Sequence, residues 1–463
     1  MIIIIKNSIN PFLGTATVSN FGYIKNLGLH ALLGGIVYFL KPVAIVYAIL
    51  LFALALFSIL KSKNRNNEVL FWGAYVVGAE VFLRMAKMFY LGYEFGKYAV
   101  IIFMILGIFY RGFSKRAFPF LIFLLLLIPG IGWGMLNLSF EADIRKAILF
   151  NILGPVSLGV SAVYCADKEF AISDMDKLTR IMLYPMMAML VYILLYTPDL
   201  REAITGTDSN SATSGGFGPN QVSTVLGLGM FLVFVRLLFF SKGTWITIVN
   251  LCLLALFSFR CLITFSRGGM ITGVMMIVFL LLVTYPFVTV KAKMKLNFGI
   301  VALAVFGLSV FTYSISQTKG LIINRYQNRD ALGREKASQF SGREKIAEME
   351  MDYFLEHPIT GTGVGKNKEN RQEETGETGA SHSEVTRMLS EHGILGVINL
   401  LLLVSIPLFF YAGNRQHIFL VSFFLFWLLT INHAAMRIAA PGFVYALTLL
   451  KLKIVEKPTV SGE

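Results

Sequence analysis

Long apolar runs occupy most of this 463-residue chain and restrict what it can fold into. A bilayer core offers the backbone no hydrogen-bond partners, so an apolar run of roughly 17 to 25 residues must be a helix that satisfies its own N–H and C=O groups. The runs are continuous rather than alternating, which disfavours a β-barrel. They lie at 23–40, 43–60, 69–90, 98–110, 118–136, 147–165, 181–197, 222–240, 244–264, 270–290, 298–312, 394–411, 418–431 and 438–450. The sequence therefore predicts an all-α polytopic integral membrane protein with about 12 to 14 transmembrane helices.

Short basic loops indicate how these helices are oriented. If the spans alternate, the loops at 61–65, 111–116 and 291–295 share one side, which the positive-inside rule assigns to the cytoplasm. The outer side then receives the polar segments at 199–221, 266–269, 317–389 and 433–437. We therefore expect the chemistry of the protein to face outward.

The composition supports a membrane protein and argues against a nucleic-acid partner. Hydrophobic residues make up 56% of the chain and charged residues only 15%, which is outside the range of soluble domains. The net charge of +14 comes mainly from lysines and arginines in short connections rather than in one basic domain, so it indicates topology and attraction to anionic lipid or diphosphate. Cys165, Cys252 and Cys261 form no CxxC pair, and we infer neither a disulfide nor a metal site.

The segment 317–389 is the only long polar stretch, and it divides the chain. We predict N-terminal transmembrane helices over 1–316, one large helical loop domain over 317–389, and C-terminal transmembrane helices with a cytoplasmic tail over 390–463. Within the loop, apolar residues at helical spacing predict an amphipathic helix over 341–356. A second helix is predicted to begin after Ser381, which has the side chain of an N-cap.

Glycines alternate at Gly361, Gly363 and Gly365, just before Lys366. The spacing is not that of a Walker A loop, and no strand pattern precedes it. A turn or a close packing contact is the favoured interpretation, because glycine adopts either sign of φ. Direct approach of the backbone amides to a phosphate is the alternative, which makes Gly363 and Gly365 candidates for substrate binding.

His382 stands at the start of the second loop helix. The helix dipole disfavours an imidazolium at that end, so a neutral ring able to accept a proton is expected. This suits a general base. The alternative is a surface histidine that caps a loop. A metal site is disfavoured, because the spacing of His382, Glu384 and His392 is not H-E-x-x-H.

Arginines provide the candidates for binding a charged substrate. Arg267, in the sequence SRGG, sits between two apolar runs, where a charge is costly unless it faces a polar cavity or snorkels to the interface. In the loop, guanidinium groups suit bidentate phosphate binding, although solvent exposure is the simpler explanation for most of them. The substrate-binding candidates are completed by Arg325, Arg329, Arg387 and, in the sequence GGFGPNQ at the start of a span, Asn220. Arg343 belongs to the same cationic cluster as Arg325 and Arg329.

These motifs, in this order, resemble those of the O-antigen ligase and O-antigen polymerase superfamily of bacterial inner-membrane glycosyltransferases. The resemblance is carried by GGFGPNQ, SRGG, SGR with its amphipathic helix, HP-x-x-G-x-G-x-G, and SHSEVTRMLSEHGILG, and is most specific over 215–400. Ser383 departs from the pattern, since members commonly have Asn after the histidine.

The resemblance implies an inverting, metal-independent transferase with no cofactor, multi-pass in the inner membrane with a periplasmic active face. Its donor would be a glycan on undecaprenyl diphosphate, and lipid A core or another glycan would be the acceptor. By motif position, His382, Arg267 and Arg343 would be the catalytic residues.

Four alternatives remain open at this stage. One is a purely structural membrane scaffold, which nothing in the composition excludes. An O-antigen polymerase would use a carrier-linked glycan as acceptor, and a protein O-oligosaccharyltransferase shares the same motifs. A lipid-linked glycan transporter belongs to a different class, and it would place ionisable groups at several span midpoints rather than on one outer face.

Overall fold

The computed structural model describes residues 20–87, 93–139, 143–336, 343–376 and 379–453. The first part of this range forms helices α1 (Asn20–Phe39), α2 (Val43–Ser62), α3 (Glu68–Met85), α4 (Phe95–Arg111), α5 (Phe118–Asn137), α6 (Ile144–Cys165), α7 (Ile172–Tyr196), α8 (Leu200–Ala203), α9 (Pro219–Val235), α10 (Thr244–Ile263), α11 (Arg267–Thr284) and α12 (Val290–Gln317). The rest forms α13 (Leu321–Tyr326), α14 (Arg343–Glu356), α15 (Lys366–Thr375), α16 (Glu384–His392), α17 (Ile394–Gly413), α18 (Leu420–Thr430) and α19 (Ala440–Leu447). Two three-residue strands, β1 (Glu169–Ala171) and β2 (Lys451–Lys453), pair in parallel.

Every predicted apolar run overlaps one of these helices, and Pro42 lies in the break between α1 and α2. Residues 88–90 of the predicted run 69–90 lie outside the described residues. The prediction of an all-α multi-pass membrane protein is confirmed. Among the described residues, nine helices are long and apolar enough to cross a bilayer by length and composition. The shorter or more polar helices, such as α4 and α18, do not meet that criterion, so the count of 12 to 14 spans stays a prediction.

Helix α9 lies at the centre of the bundle, where it is buried on all sides. Its contact with α11 depends on small residues, because a Cβ at Gly227 would lie 2.1 Å from the carbonyl oxygen of Gly269. A Cβ at Gly273 would meet the carbonyl oxygen of Gly227 at 2.8 Å. Such small-residue contacts let membrane helices pack closely through their backbones, and here they place the starts of α9 and α11 side by side.

Many of the basic residues lie in loops at one end of the bundle, which we call the basic end. Polar contacts link these loops to one another. The Asn64 side chain donates to the Tyr164 hydroxyl over 2.8 Å, and Arg116 pairs with Asp167 at 3.2 Å. The Lys451 amide donates to the Lys168 carbonyl over 2.8 Å as the two strands meet. Helices that alternate in direction would bring these loops together, as the sequence predicts.

Helices α13 to α16 lie at the other end, which we call the cavity end. The amide of Val364 donates to the carbonyl of Gly130 in α5 over 2.9 Å, and the Thr207 hydroxyl donates to the carbonyl of Arg329 over 2.9 Å. The predicted amphipathic helix is confirmed as α14 over Arg343–Glu356. The polar segment is thus anchored to the transmembrane helices at several points.

Candidate active site

A cavity of about 610 Å³ opens at the cavity end, between the transmembrane helices and the polar segment. This volume lies in the range of about 300 to 1,000 Å³ that is typical of ligand pockets. Its polar lining includes Asn220, Ser266, Arg267, Arg325, Glu344, Glu350, Ser381, His382, Ser383, Thr386, Asn432 and His433. The structure therefore brings together four of the residues selected from the sequence: Asn220, Arg267, Arg325 and His382.

The membrane side of the cavity is formed where α9 and α11 begin. The Ser266 hydroxyl donates to the Asn220 side-chain oxygen over 2.9 Å, and the Ser223 hydroxyl lies 2.9 Å from that of Ser266. Gly268 accommodates His433, since a Cβ at Gly268 would lie 2.5 Å from the imidazole. The glycines of SRGG are thus required for packing, and this packing places Arg267 at the cavity.

Two arginines supply positive charge to the cavity wall. Arg267, which is partly exposed, is the first residue of α11. Buried Arg325, from α13, donates through Nε to the carbonyl of Phe265 over 2.8 Å. Its Nη1 lies 3.7 Å from the exposed carboxylate of Asp208, a long ion pair that solvent weakens. Both guanidinium groups can therefore stabilise an anion in the cavity.

Backbone hydrogen bonds fix the position of His382. The Ala435 amide donates to the His382 carbonyl over 3.1 Å, and the Glu384 amide donates to the Ile431 carbonyl over 2.8 Å. Arg437 donates to the Ser381 carbonyl. His382 is thereby joined to the turn that connects α18 and α19.

Helix α16 begins just after His382, as the sequence predicted, but its cap differs. The Ser383 hydroxyl, rather than that of Ser381, accepts from the Thr386 amide, over 3.3 Å. Ser381 turns instead toward Glu350, 3.0 Å away. The prediction of Ser381 as the cap was wrong, because a buried carboxylate provides its partner.

A buried ion pair in α3 supports the same turn. Glu80 and Arg84 pair at 2.5 Å within α3. Arg84 also donates to the Arg437 carbonyl over 2.9 Å, and Glu80 accepts from the Ala439 amide over 2.7 Å. The pair therefore satisfies backbone groups of the turn that holds His382.

Gly363 and Gly365 lie in a packing contact with the transmembrane helices, outside the cavity lining. Their φ values are +95° and +87°. A Cβ at Gly363 would lie 2.5 Å from the backbone nitrogen of Gly134 in α5, and one at Gly365 would lie 3.2 Å from Ala147. The turn and packing interpretation accounts for both glycines by geometry.

Two further candidate arginines, Arg387 and Arg329, are also placed apart from the cavity lining. Buried Arg387 pairs with Glu384 and, at 3.2 Å, with Glu391, and it donates to the Asn151 carbonyl over 2.8 Å. Burial alone would lower the pKa of Arg387, but these carboxylates outweigh it and raise the pKa. Arg329 is exposed. Arg343 begins α14 next to Glu344, which lines the cavity, but the side chain of Arg343 lies outside the described part of the chain.

Glu350 and His433 are among the cavity residues that were not selected from the sequence. Glu350 is fully buried, and this burial raises the pKa of its carboxyl group. Its sequence signal was its position on the apolar face of α14, between Ile346 and Tyr353, where a charge is unexpected. His433 was placed only within an outward-facing turn. Its Nδ1 lies 3.1 Å from the Leu429 carbonyl, and its Nε2 lies 3.1 Å from the Thr224 hydroxyl.

Comparison with known proteins adds an independent observation. Residues 251–401, about a third of the chain, match the family model described as O-antigen ligase. The resemblance to the O-antigen ligase and polymerase superfamily is confirmed. The matched region contains Arg267, Arg325, Glu350 and His382, and so covers most of the cavity wall. No curated protein and no solved structure matches the chain.

The O-antigen ligase match implies a glycan transferase of the ligase or polymerase type, acting on lipid-linked glycans. The cavity offers hydrogen-bonding side chains, two arginines and an imidazole. Within the described ranges, no group of three histidine, cysteine, aspartate or glutamate residues could hold a metal ion. Independence from metal stays a prediction.

Proposed function

We propose that this protein transfers a glycan from undecaprenyl diphosphate to a lipid A core acceptor at the periplasmic face of the bacterial inner membrane. The observation that carries the proposal is the meeting of His382, Arg267 and Arg325 in one cavity where the transmembrane helices end. A lipid-linked donor needs such a site, because its polyprenyl chain stays in the bilayer while its diphosphate lies at the interface.

The residues suggest a single displacement at the anomeric carbon. His382 accepts the proton of the acceptor hydroxyl as its oxygen attacks C1 of the first sugar. The bond between C1 and the phosphate oxygen breaks, and undecaprenyl diphosphate leaves with the bonding electron pair. Attack opposite the leaving group inverts the anomeric configuration.

The arginines act on the leaving group. Negative charge grows on the diphosphate as the glycosidic bond breaks, and guanidinium groups fixed in the cavity wall stabilise it without having to reorganise. Arg267 and Arg325 are held by their helix positions and by the Arg325 bond to Phe265. Arg343 is proposed as a further cation for the same charge, and no metal ion is required.

The deciding experiment offers the purified protein, in detergent and EDTA, an undecaprenyl diphosphate glycan and one of two acceptors. Product on lipid A core supports the ligase. A ladder on the carrier would assign a polymerase instead. Absence of both products would contradict the proposal and direct attention to protein acceptors or transport, and activity that returns only with a divalent ion would contradict metal independence.

The first prediction concerns His382→Ala and Arg267→Ala in this assay. Loss of a general base or of leaving-group stabilisation should reduce transfer by roughly 10²- to 10⁴-fold, mainly in kcat. The matched controls are His357→Ala, at an exposed histidine, and Arg334→Ala, where a surface arginine pairs with Asp330. Transfer by either site variant at the rate of its control would remove that residue from the mechanism.

A further inference from the structure

Glu350 makes three short contacts although it is fully buried in the cavity wall. Its Oε1 accepts from Nη1 of Arg371, which is 1% exposed, over 3.1 Å. Its Oε2 accepts from the Thr386 hydroxyl over 2.6 Å and lies 3.0 Å from the Ser381 hydroxyl. An ionised carboxylate has about four acceptor positions, and groups of the protein already occupy three of them.

The hydroxyl groups that contact Glu350 stand on both sides of His382 in the sequence. Ser381 precedes the histidine directly, and Thr386 follows it in the first turn of α16. The single Ser381 proton is shared between Glu350 and the Ser383 carbonyl, which is also 3.0 Å away. The bond from Thr386 is shorter and has one acceptor, so it is the stronger connection between Glu350 and this segment.

Arg371 connects Glu350 to the backbone just before Ser381. While it pairs with Glu350, its Nη2 donates to the Gly379 carbonyl over 2.8 Å. The buried charge of Glu350 is compensated in this way, and the backbone before Ser381 is tied to the same centre. A buried ion pair held by several hydrogen bonds favours one arrangement of its partners.

We propose that Glu350 is a positioning residue that holds the segment 381–386 so that His382 is presented to the cavity. It acts through the hydroxyls of Thr386 and Ser381 and does not itself exchange a proton with substrate. The effect of Glu350 on catalysis rests on the proposed function. Its effect on the position of the segment 381–386 does not.

The informative variant is Thr386→Val, with Thr386→Ser as its matched control. Valine keeps the shape of threonine but loses the hydroxyl, whereas serine keeps the hydroxyl. Direct substitution of Glu350 would leave the Arg371 charge buried without its partner and endanger folding. We expect T386V to reduce kcat by roughly ten- to a hundredfold, as misplacement of a catalytic group does, while T386S retains most of the wild-type kcat. KM should change much less than kcat, because the cavity itself is kept.

A second measurement does not require activity. Diethyl pyrocarbonate modifies histidines, and mass spectrometry resolves the rate at each site, with exposed His357 as the internal reference. A loosened segment should make His382 react several times faster in T386V than in the wild type or T386S. Equal His382 rates and equal kcat in the two variants would overturn the positioning role. If the wild type transfers no glycan, the proposed function fails and the labelling rates alone decide the role of Glu350.

Discussion

His392, the last residue of α16, has its charge set by burial. It is 2% exposed and packs against α5 so closely that a Cβ at Gly130 would lie 2.2 Å from its Nδ1. Burial, aided by the nearby Arg387 charge, lowers the pKa of His392 to about 3. In the unfolded chain the pKa of a histidine is about 6.5. Between these values only the unfolded state binds the proton, so His392 makes folding less favourable as the pH falls through that window.

We therefore expect His392→Gln to show a pH-dependent penalty. At pH 7 the variant should be less stable than the wild type, because it loses packing. At pH 5 the penalty should be smaller by about 2 kcal/mol, since the variant has no histidine to protonate on unfolding. The measurement is equilibrium unfolding in mixed micelles at both pH values.

The comparison with the wild type removes the contribution of neighbouring carboxyl groups. Burial raises the pKa of Glu391, which has the opposite effect on acid stability, and this residue is present in both proteins. A constant difference between H392Q and the wild type would show that His392 binds its proton equally readily in the folded and unfolded states.

Single residues also show what the sequence can predict about the site. Arg267 and His382 were identified because a charge beside an apolar run and a histidine at a helix start are visible locally. Glu350 and His433 were missed, because their importance depends on partners far away in the chain, such as Arg371 for Glu350 and Thr224, 3.1 Å from Nε2 of His433. Local patterns identify a chemical group, but not the distant partners that fold around it.

At the scale of elements, the Gly-rich turn before α15 joins the polar segment to the bundle. Gly361, Gly363 and Gly365 all have positive φ, as a turn requires. The sequence indicated a turn or close packing, since glycine tolerates both. It could not specify Gly134 as the partner of Gly363, because that contact depends on the tertiary position of α5.

We expect Gly363→Ala to destabilise the protein more than Gly376→Ala. Both glycines have positive φ, but a Cβ at Gly376 meets no atom within 4 Å, whereas at Gly363 it meets the α5 backbone. The strained φ should cost roughly 1–2 kcal/mol in either variant, and the clash should add about 1–3 kcal/mol in G363A. Unfolding midpoints in detergent measure the difference. Equal losses would mean that α5 and the turn are not in contact.

At the scale of the whole molecule, hydrophobic pattern predicted the fold well because the bilayer leaves few choices. Each apolar run became a helix, since a backbone in lipid must satisfy its own hydrogen bonds. The pattern was less informative about how many helices span the membrane. Helices such as α3 carry Glu80 and Arg84, which are acceptable only because they pair inside the protein, and such pairing is not a property of local hydropathy.

The orientation of the molecule gives the last prediction. Contacts link the loops of the basic end to one another. Measuring the side of the membrane on which one of these loops lies therefore assigns the side of the others. We expect a cysteine at Glu373, exposed on α15, to be labelled by a membrane-impermeant maleimide added outside the inner membrane. A cysteine at Arg415, exposed at the basic end, should be labelled only after permeabilisation. A Cys252→Ser background is needed, because that native thiol is exposed while Cys165 and Cys261 are buried.

Labelling of these two cysteines can give three patterns, and each pattern has a different physical cause. The expected pattern follows if the lysines and arginines of the short loops stay on the cytoplasmic side. The reverse pattern would place the cavity in the cytoplasm, and the lipid-linked glycan would then have to be used before it crosses the membrane. Labelling of both sites from outside would mean that α17, the candidate span between them, does not cross the membrane.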